Sequence, residues 1–221
     1  MNELSIQEVP ATYFLLLANI LFSISGFQNH QVFNQFKFDI FSIVKFKDYK
    51  RLVTSGFLHA NWMHLFFNMY VLYIFGRSVE YAYGTLAFSV IYMGSLIVGS
   101  IVSFLINKHN TSYTAVGASG AVSGVVFAFI AADPTAQLGL LFIPFYIDGW
   151  IFGLGYLAYS IYGMRTRRDN IGHEAHLGGS IAGMIIAVAF YPHLLFENYQ
   201  VMLMMAAVII IAFLGRKYIR Q

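Results

Sequence analysis

Seven stretches of this chain are continuously apolar over roughly one bilayer-crossing helix each: about 11–27, 61–82, 85–106, 115–132, 145–163, 174–191 and 199–215. A helix needs roughly 20 mostly apolar residues to cross the hydrocarbon core. In lipid, only helices or closed barrels satisfy their own backbone hydrogen bonds. Barrel strands alternate apolar and polar residues, and these stretches do not. Composition agrees, since 58% of the 221 residues are hydrophobic and 10% are charged. A soluble domain carries about 25% charged residues. The sequence therefore reads as one all-α integral membrane unit with no soluble domain attached.

Several function classes drop out at once. No Lys or Arg precedes the first stretch (the first is Lys37). It lacks the basic start of a signal peptide and is read as a span. There is no cysteine, so neither disulfides nor thiol chemistry is expected. The net charge of +3 is dispersed among loops, which makes nucleic acid an unexpected partner. The longest connection, about 28–60, mixes Phe33, Phe36, Phe38, Ile40, Phe41, Ile43, Val44 and Phe46 with Lys37, Asp39, Lys45, Lys47 and Asp48. That mixture suits a segment lying in the membrane interface, aromatic groups toward lipid and charges toward water. A surface loop with a few anchors is the plainer reading. Pro134 and Pro144 bracket the approach to the fifth span, where Asp148 and Trp150 point to an interfacial level.

Chemistry enters through small-residue segments. Gly120 and Gly124 are four apart, as are Gly179 and Gly183, so each pair lies on one helix face and permits close backbone approach. Ser119 adjoins the first pair, and His176 lies three residues before Gly179. If the fourth and sixth spans pack through these faces, Ser119 and His176 can meet. A serine hydroxyl needs a base to become a nucleophile, and neutral imidazole suits that task near neutral pH. The resulting oxyanion needs donors already in place. Ser119 falls near the expected start of its helix, where backbone N–H groups are free. His64 and Asn68, four apart, share one face of the second span. No aspartate is placed to orient His176, so the pattern reads as a dyad.

Each residue also has a structural reading. A membrane serine often bonds a carbonyl of its own helix, Asn68 could bridge helices, and small-residue pairs often serve packing alone. Ionisable groups inside spans are nevertheless functional candidates by default. His173-Glu174-Ala175-His176 is one residue short of the zinc-binding H-E-x-x-H, whose histidines share a face at four apart. No metal and no cofactor are expected.

At this point the chain resembles the rhomboid family of intramembrane serine proteases, over about residues 10–192. Gly117-Ala118-Ser119-Gly120 is similar to the family's G-x-S-G. His176, Gly179 and Gly183 match its H-x-x-G-x-x-x-G, and His64 to Asn68 its H-x-x-x-N. Lys50-Arg51 stands where the family has W-R, so only the arginine matches. His59 and Glu80 match further positions, the glutamate being one that helps hold the first loop. Many members carry an aromatic residue four after the serine, packed on the catalytic histidine. This chain has Ser123 there, with Phe127 one turn further on.

The resemblance implies a six-helix core over residues 1–192, with 193–221 an extra C-terminal transmembrane helix and basic tail. It implies a serine endopeptidase in which Ser119 attacks a peptide bond of another protein's transmembrane segment and His176 is the base. The Ser119 N–H, His64 and Asn68 form the oxyanion hole, and Gly117, Gly120, Gly124, Gly179, Gly183, Arg51, His59 and Glu80 support the site. Partners would be transmembrane substrates and membrane lipid, in a multi-pass protein of a bacterial cell membrane. A catalytically silent binder of transmembrane clients is the first alternative and a small transporter the second. The family places its active face outside the cytoplasm. The positive-inside rule places it in the cytoplasm, because 12 of the 13 basic residues fall on the active-face loops and C-terminus and only Arg77 on the other face.

Overall fold

The computed structural model describes residues 5–139, 145–166, 169 and 171–215, with side chains up to residue 210. Pro144 and the basic residues Arg167, Arg168, Arg216, Lys217 and Arg220 counted above lie outside the described residues. The fold is almost entirely helical. In chain order the helices are α1 (Pro10–Gln28), α2 (His30–Phe36), α3 (Ile40–Phe46), α4 (Arg51–Thr54), α5 (Trp62–Val71), α6 (Arg77–Asn107), α7 (Ser119–Ala132), α8 (Gly149–Thr166), α9 (His173–Phe190), α10 (Leu194–Glu197) and α11 (Tyr199–Gly215). Two antiparallel ribbons complete the fold: β1 (Phe38–Asp39) with β2 (Thr114–Ala115), and β3 (Gln137–Gly139) with β4 (Tyr146–Asp148).

All seven apolar stretches are helical over most of their length. Among the described residues, two helical runs are long and apolar enough to cross a bilayer: Pro10–Gln28, and the 46 residues of Trp62–Asn107. The second run joins α5 and α6 through a wide turn at Leu72–Gly76 and is broken at Gly84, where φ is +79°. That left-handed backbone suits glycine, which has no Cβ to clash. The break falls between the two stretches 61–82 and 85–106 that the sequence separates.

The stretch expected over 115–132 forms a shorter helix. Thr114 and Ala115 pair with the first loop, and Gly117 takes φ of +133°, so α7 begins only at Ser119. Its 14 residues measure about 21 Å at 1.5 Å per residue.

Three helices, α6, α7 and α9, make the centre of the molecule. The expected glycine faces meet there. A Cβ on Gly179 would fall onto the Gly120 carbonyl, and one on Gly183 onto the Gly124 carbonyl. Lipid tails are as apolar as Leu, so helices in lipid associate through such close packing rather than through water exclusion. Helix α8 packs on α7 and α9, with α11 behind it, where Met205 lies against Gly153.

The first loop is only partly turned toward lipid. Ile40, Ile43 and Phe38 are buried against Leu52, Phe104, Tyr113 and Ala115, whereas Phe41, Val44 and Phe46 are exposed. The aromatic and aliphatic residues of 33–46 thus divide between a small core and an outer face, because α3 is a helix with two sides.

Gly179→Ala should lower stability by about 1–3 kcal/mol, the usual cost of overpacking, since the new methyl meets backbone that cannot move aside. Gly155→Ala, whose Cβ meets nothing within 4 Å, should be neutral or slightly stabilising. Thermal unfolding of both variants in detergent micelles measures the contrast.

Candidate active site

Ser119 is the first residue of α7, and its N–H belongs to the free donors of that helix's first turn. Two features place it there. Gly117 donates its N–H to the Ser55 carbonyl at 3.0 Å, tying the approach to the loop that carries the histidines. Its positive φ turns the chain into the helix, and a Cβ at that position would lie 2.6–2.7 Å from the His64 ring. Only glycine meets both requirements.

His176, in the first turn of α9, puts Nε2 2.7 Å from Ser119 Oγ. A ring accepting the hydroxyl proton at Nε2 carries its own proton on Nδ1. That Nδ1 is buried and has no hydrogen-bond partner among the described residues. Among the described residues no carboxylate bonds the ring, so the arrangement is a dyad.

His64 and Asn68 rise from α5 into the same cavity of about 810 Å³ that Ser119 and His176 line. Asn61 caps α5 by accepting the His64 N–H at 2.9 Å. A long contact from the Ala60 N–H to His64 Nδ1, 3.5 Å, leaves Nε2 as the nitrogen that bears hydrogen. Asn68 is buried and gives one amide hydrogen to the His64 carbonyl at 2.9 Å; the amide has a second hydrogen to offer.

The remaining expected residues have different places. His59 is fully buried behind the site. Its Nε2 accepts the Ala118 N–H at 3.4 Å and its Nδ1–H donates to Ser23 Oγ at 2.8 Å. Ser23 in turn donates to the Phe57 carbonyl at 3.0 Å. Burial, with the neighbouring His64 adding to it, pushes the His59 pKa down from 6.5 to about 3, so the ring stays neutral. Arg51 is also buried and lies away from the cavity. It bonds Asp48 through Nε at 2.9 Å and the Asn34 and Lys37 carbonyls through Nη1 at 2.8 Å each, stapling the first loop onto itself.

Glu80 corrects its expected role. Its carboxylate accepts the Ala11 and Thr12 N–H groups at 2.9 and 2.7 Å and the Thr85 hydroxyl at 2.9 Å. It therefore caps α1 rather than holding the first loop, because it lies beside the Gly84 break in the middle of the α5–α6 run, where α1 begins. His173 bonds the Asp169 carboxylate at 3.0 and 3.2 Å.

The support of the His176 ring comes from a residue that sequence reasoning did not single out. Tyr156 on α8 stacks on His176 with ring centroids 5.9 Å apart at 26°. Its hydroxyl bonds Ser123 Oγ at 2.5 Å, and Ser123 donates to the Ser119 carbonyl at 2.7 Å. Phe127 is not against His176; it packs on Tyr156 at 5.9 Å. The available signal was the small Ser123 itself, which leaves room for a ring from another helix.

A serine hydroxyl against a neutral imidazole, with free donors beside it in one cavity, is an arrangement for acyl transfer. Comparison with known proteins identifies the family. The Rhomboid domain pattern matches residues 47–193. The chain belongs to the rhomboid family. It is 33% identical over 137 residues to Rhomboid protein 1, mitochondrial, of Saccharomyces cerevisiae, covering 61% of this chain and 40% of that protein. Identity to Rhomboid-like protein 11, chloroplastic, of Arabidopsis thaliana is 28% over 183 residues, 78% and 60% of the two chains. For the human Presenilin-associated rhomboid-like protein, mitochondrial, it is 29% over 155 residues, 67% and 40%. The chain thus spans 40–60% of the length of these relatives. Membership makes it a membrane protein. These relatives are organellar, and they give no support to the bacterial cell membrane expected above.

The unfolded His59 imidazole binds its proton near pH 6.5 and the folded one only near 3. Neutral His59 therefore contributes stability that is present above pH 6.5 and is lost as pH falls toward 3. Thermal unfolding between about pH 7 and about pH 4 should show the melting temperature falling, at up to about 1.4 kcal/mol per pH unit from this residue. The fall should be shallower in His59→Gln.

Proposed function

We propose that this rhomboid-family chain is a serine endopeptidase that cuts transmembrane segments of other membrane proteins. The observation that carries the reading is the 2.7 Å contact between His176 Nε2 and Ser119 Oγ at the start of α7. Ser119 Oγ attacks the scissile carbonyl carbon while His176 Nε2 takes the hydroxyl proton. The tetrahedral oxyanion receives hydrogen bonds from the Ser119 N–H, His64 Nε2–H and the Asn68 amide. The C–N bond breaks, His176 returns the proton to the leaving amine, and an acyl-enzyme on Ser119 remains. Water, deprotonated by His176, then hydrolyses the ester and frees the serine. Losing one oxyanion donor typically costs about 3–4 kcal/mol of barrier.

The same reading assigns six bilayer-crossing helices to the core over residues 1–192, with 193–221 supplying α11 as a seventh and the basic tail. Substrate helices would reach the cavity from lipid, and those with helix-weakening residues would be preferred, since a bonded helix shields its peptide bonds. Ser123 is the one sequence feature that favours a silent client binder, and the ring of Tyr156 on His176 removes its force. We place the active face outside the cytoplasm, the side that resemblance implies.

A fluorophosphonate should label the purified wild type in micelles and leave Ser119→Ala unlabelled. His176→Ala should label about 10²–10⁴-fold more slowly. Equal labelling after Ser119→Ala would overturn the protease reading. For orientation, the chain has no native cysteine, and Ile171 before α9 is exposed. With the chain expressed in a bacterial inner membrane, Ile171→Cys should react with an impermeant maleimide in spheroplasts, and reaction only after lysis would put this face in the cytoplasm.

A further inference from the structure

Four contacts of one side chain, taken together, do more than fill space. The Tyr156 ring lies nearly parallel to His176. Its hydroxyl donates to Ser123 Oγ, whose own hydrogen goes to the carbonyl of Ser119. Phe127, fully buried on α7, braces the other part of the ring, and Phe152, one turn earlier on α8, stacks on it at 5.9 Å and 20°. Tyr156 is thus joined to both members of the dyad, by its face to the base and through Ser123 to the backbone of the nucleophile.

The imidazole needs such a support. Its Nδ1 has no partner among the described residues, so Ser119 Oγ makes its one hydrogen bond. A ring held by one bond can rotate about its χ angles, and near-attack geometry tolerates little rotation. A parallel aromatic face removes that freedom.

We propose that Tyr156 is the positioning residue of the dyad: its ring fixes the plane of His176, and its hydroxyl, relayed by Ser123, fixes that ring relative to Ser119. Because Tyr156 stands on α8 while the dyad stands on α7 and α9, the alignment of base and nucleophile depends on where α8 sits. This rests on the serine-protease reading. It goes further by assigning to a third helix a role that neither motif residue can fill.

The test compares volume-filling replacements. Tyr156→Phe keeps the ring and loses the relay, and should reduce kcat about two- to tenfold, the worth of one hydrogen bond. Tyr156→Leu fills the space without an aromatic face and should reduce kcat about 100-fold with KM little changed, as misplacement of a reacting group does. Fluorophosphonate labelling, which needs no transmembrane substrate, should slow in the same order. The exchange Ser123→Phe with Tyr156→Ala supplies a ring from α7 and should recover most of the loss. Phe and Leu variants that are folded and equally active would overturn the proposal, as would a folded double variant no better than Tyr156→Ala. An unlabelled wild type would remove the protease reading and this inference with it, whereas equal Phe and Leu variants of an active wild type remove this inference alone.

Discussion

Everything at the site depends on how closely α7 and α9 approach. Gly120 and Gly124 face Gly179 and Gly183 so tightly that a single added methyl would meet a carbonyl of the opposite helix. Ser119 and His176 each lie at the start of one of these helices, one and three residues from the nearest contact glycine. Their 2.7 Å separation is therefore a consequence of backbone packing. No water-driven force separates or joins such helices inside lipid, so shape complementarity carries the association. The same residues then serve fold and chemistry, and they cannot be altered for one without the other.

A second layer of the structure exists to start α7 in the right place. The β1–β2 pairing fixes the strand before Gly117, the Gly117 N–H is held by Ser55, and the Ala118 N–H is held by neutral His59. The first loop is itself locked by Arg51 across Asn34, Lys37 and Asp48. A helix that began four residues earlier, as the apolar pattern 115–132 alone predicts, would bury Ser119 inside its second turn and remove the free donors at its start. Polar side chains that look incidental in the sequence thus set the boundary of an apolar helix. Glu80 does related work beside the Gly84 break, where its carboxylate ties the start of α1 to α6.

Several parts of this were legible beforehand, and for stated reasons. Glycines four apart lie on one helix face whatever surrounds them, so the α7–α9 contact and the meeting of Ser119 with His176 could be anticipated. The Asn61 cap was not anticipated, though it follows a local rule, and the Gly84 break falls where the sequence already separates two stretches. Tyr156 was hidden. It is one of 15 tyrosines, and nothing at position 156 separates it from those that merely pack. Its significance comes from Ser123, 33 positions away, and only three-dimensional neighbourhood joins the two. The first loop was half legible. Its mixture of aromatic and charged residues was visible, but which side of α3 turns inward depends on Leu52, Phe104 and Tyr113 from other segments.

The sequence by itself determined a helical membrane protein, with a serine and a histidine beside glycine faces that bring them together. Those are periodic, short-range properties, set by the 3.6-residue turn and by the absence of a side chain on glycine. The tertiary structure alone decided where α7 starts, which segment Glu80 holds and which ring supports His176. Those depend on groups distant in the chain competing for the same backbone donors and the same space, and that competition is resolved only when the helices have packed.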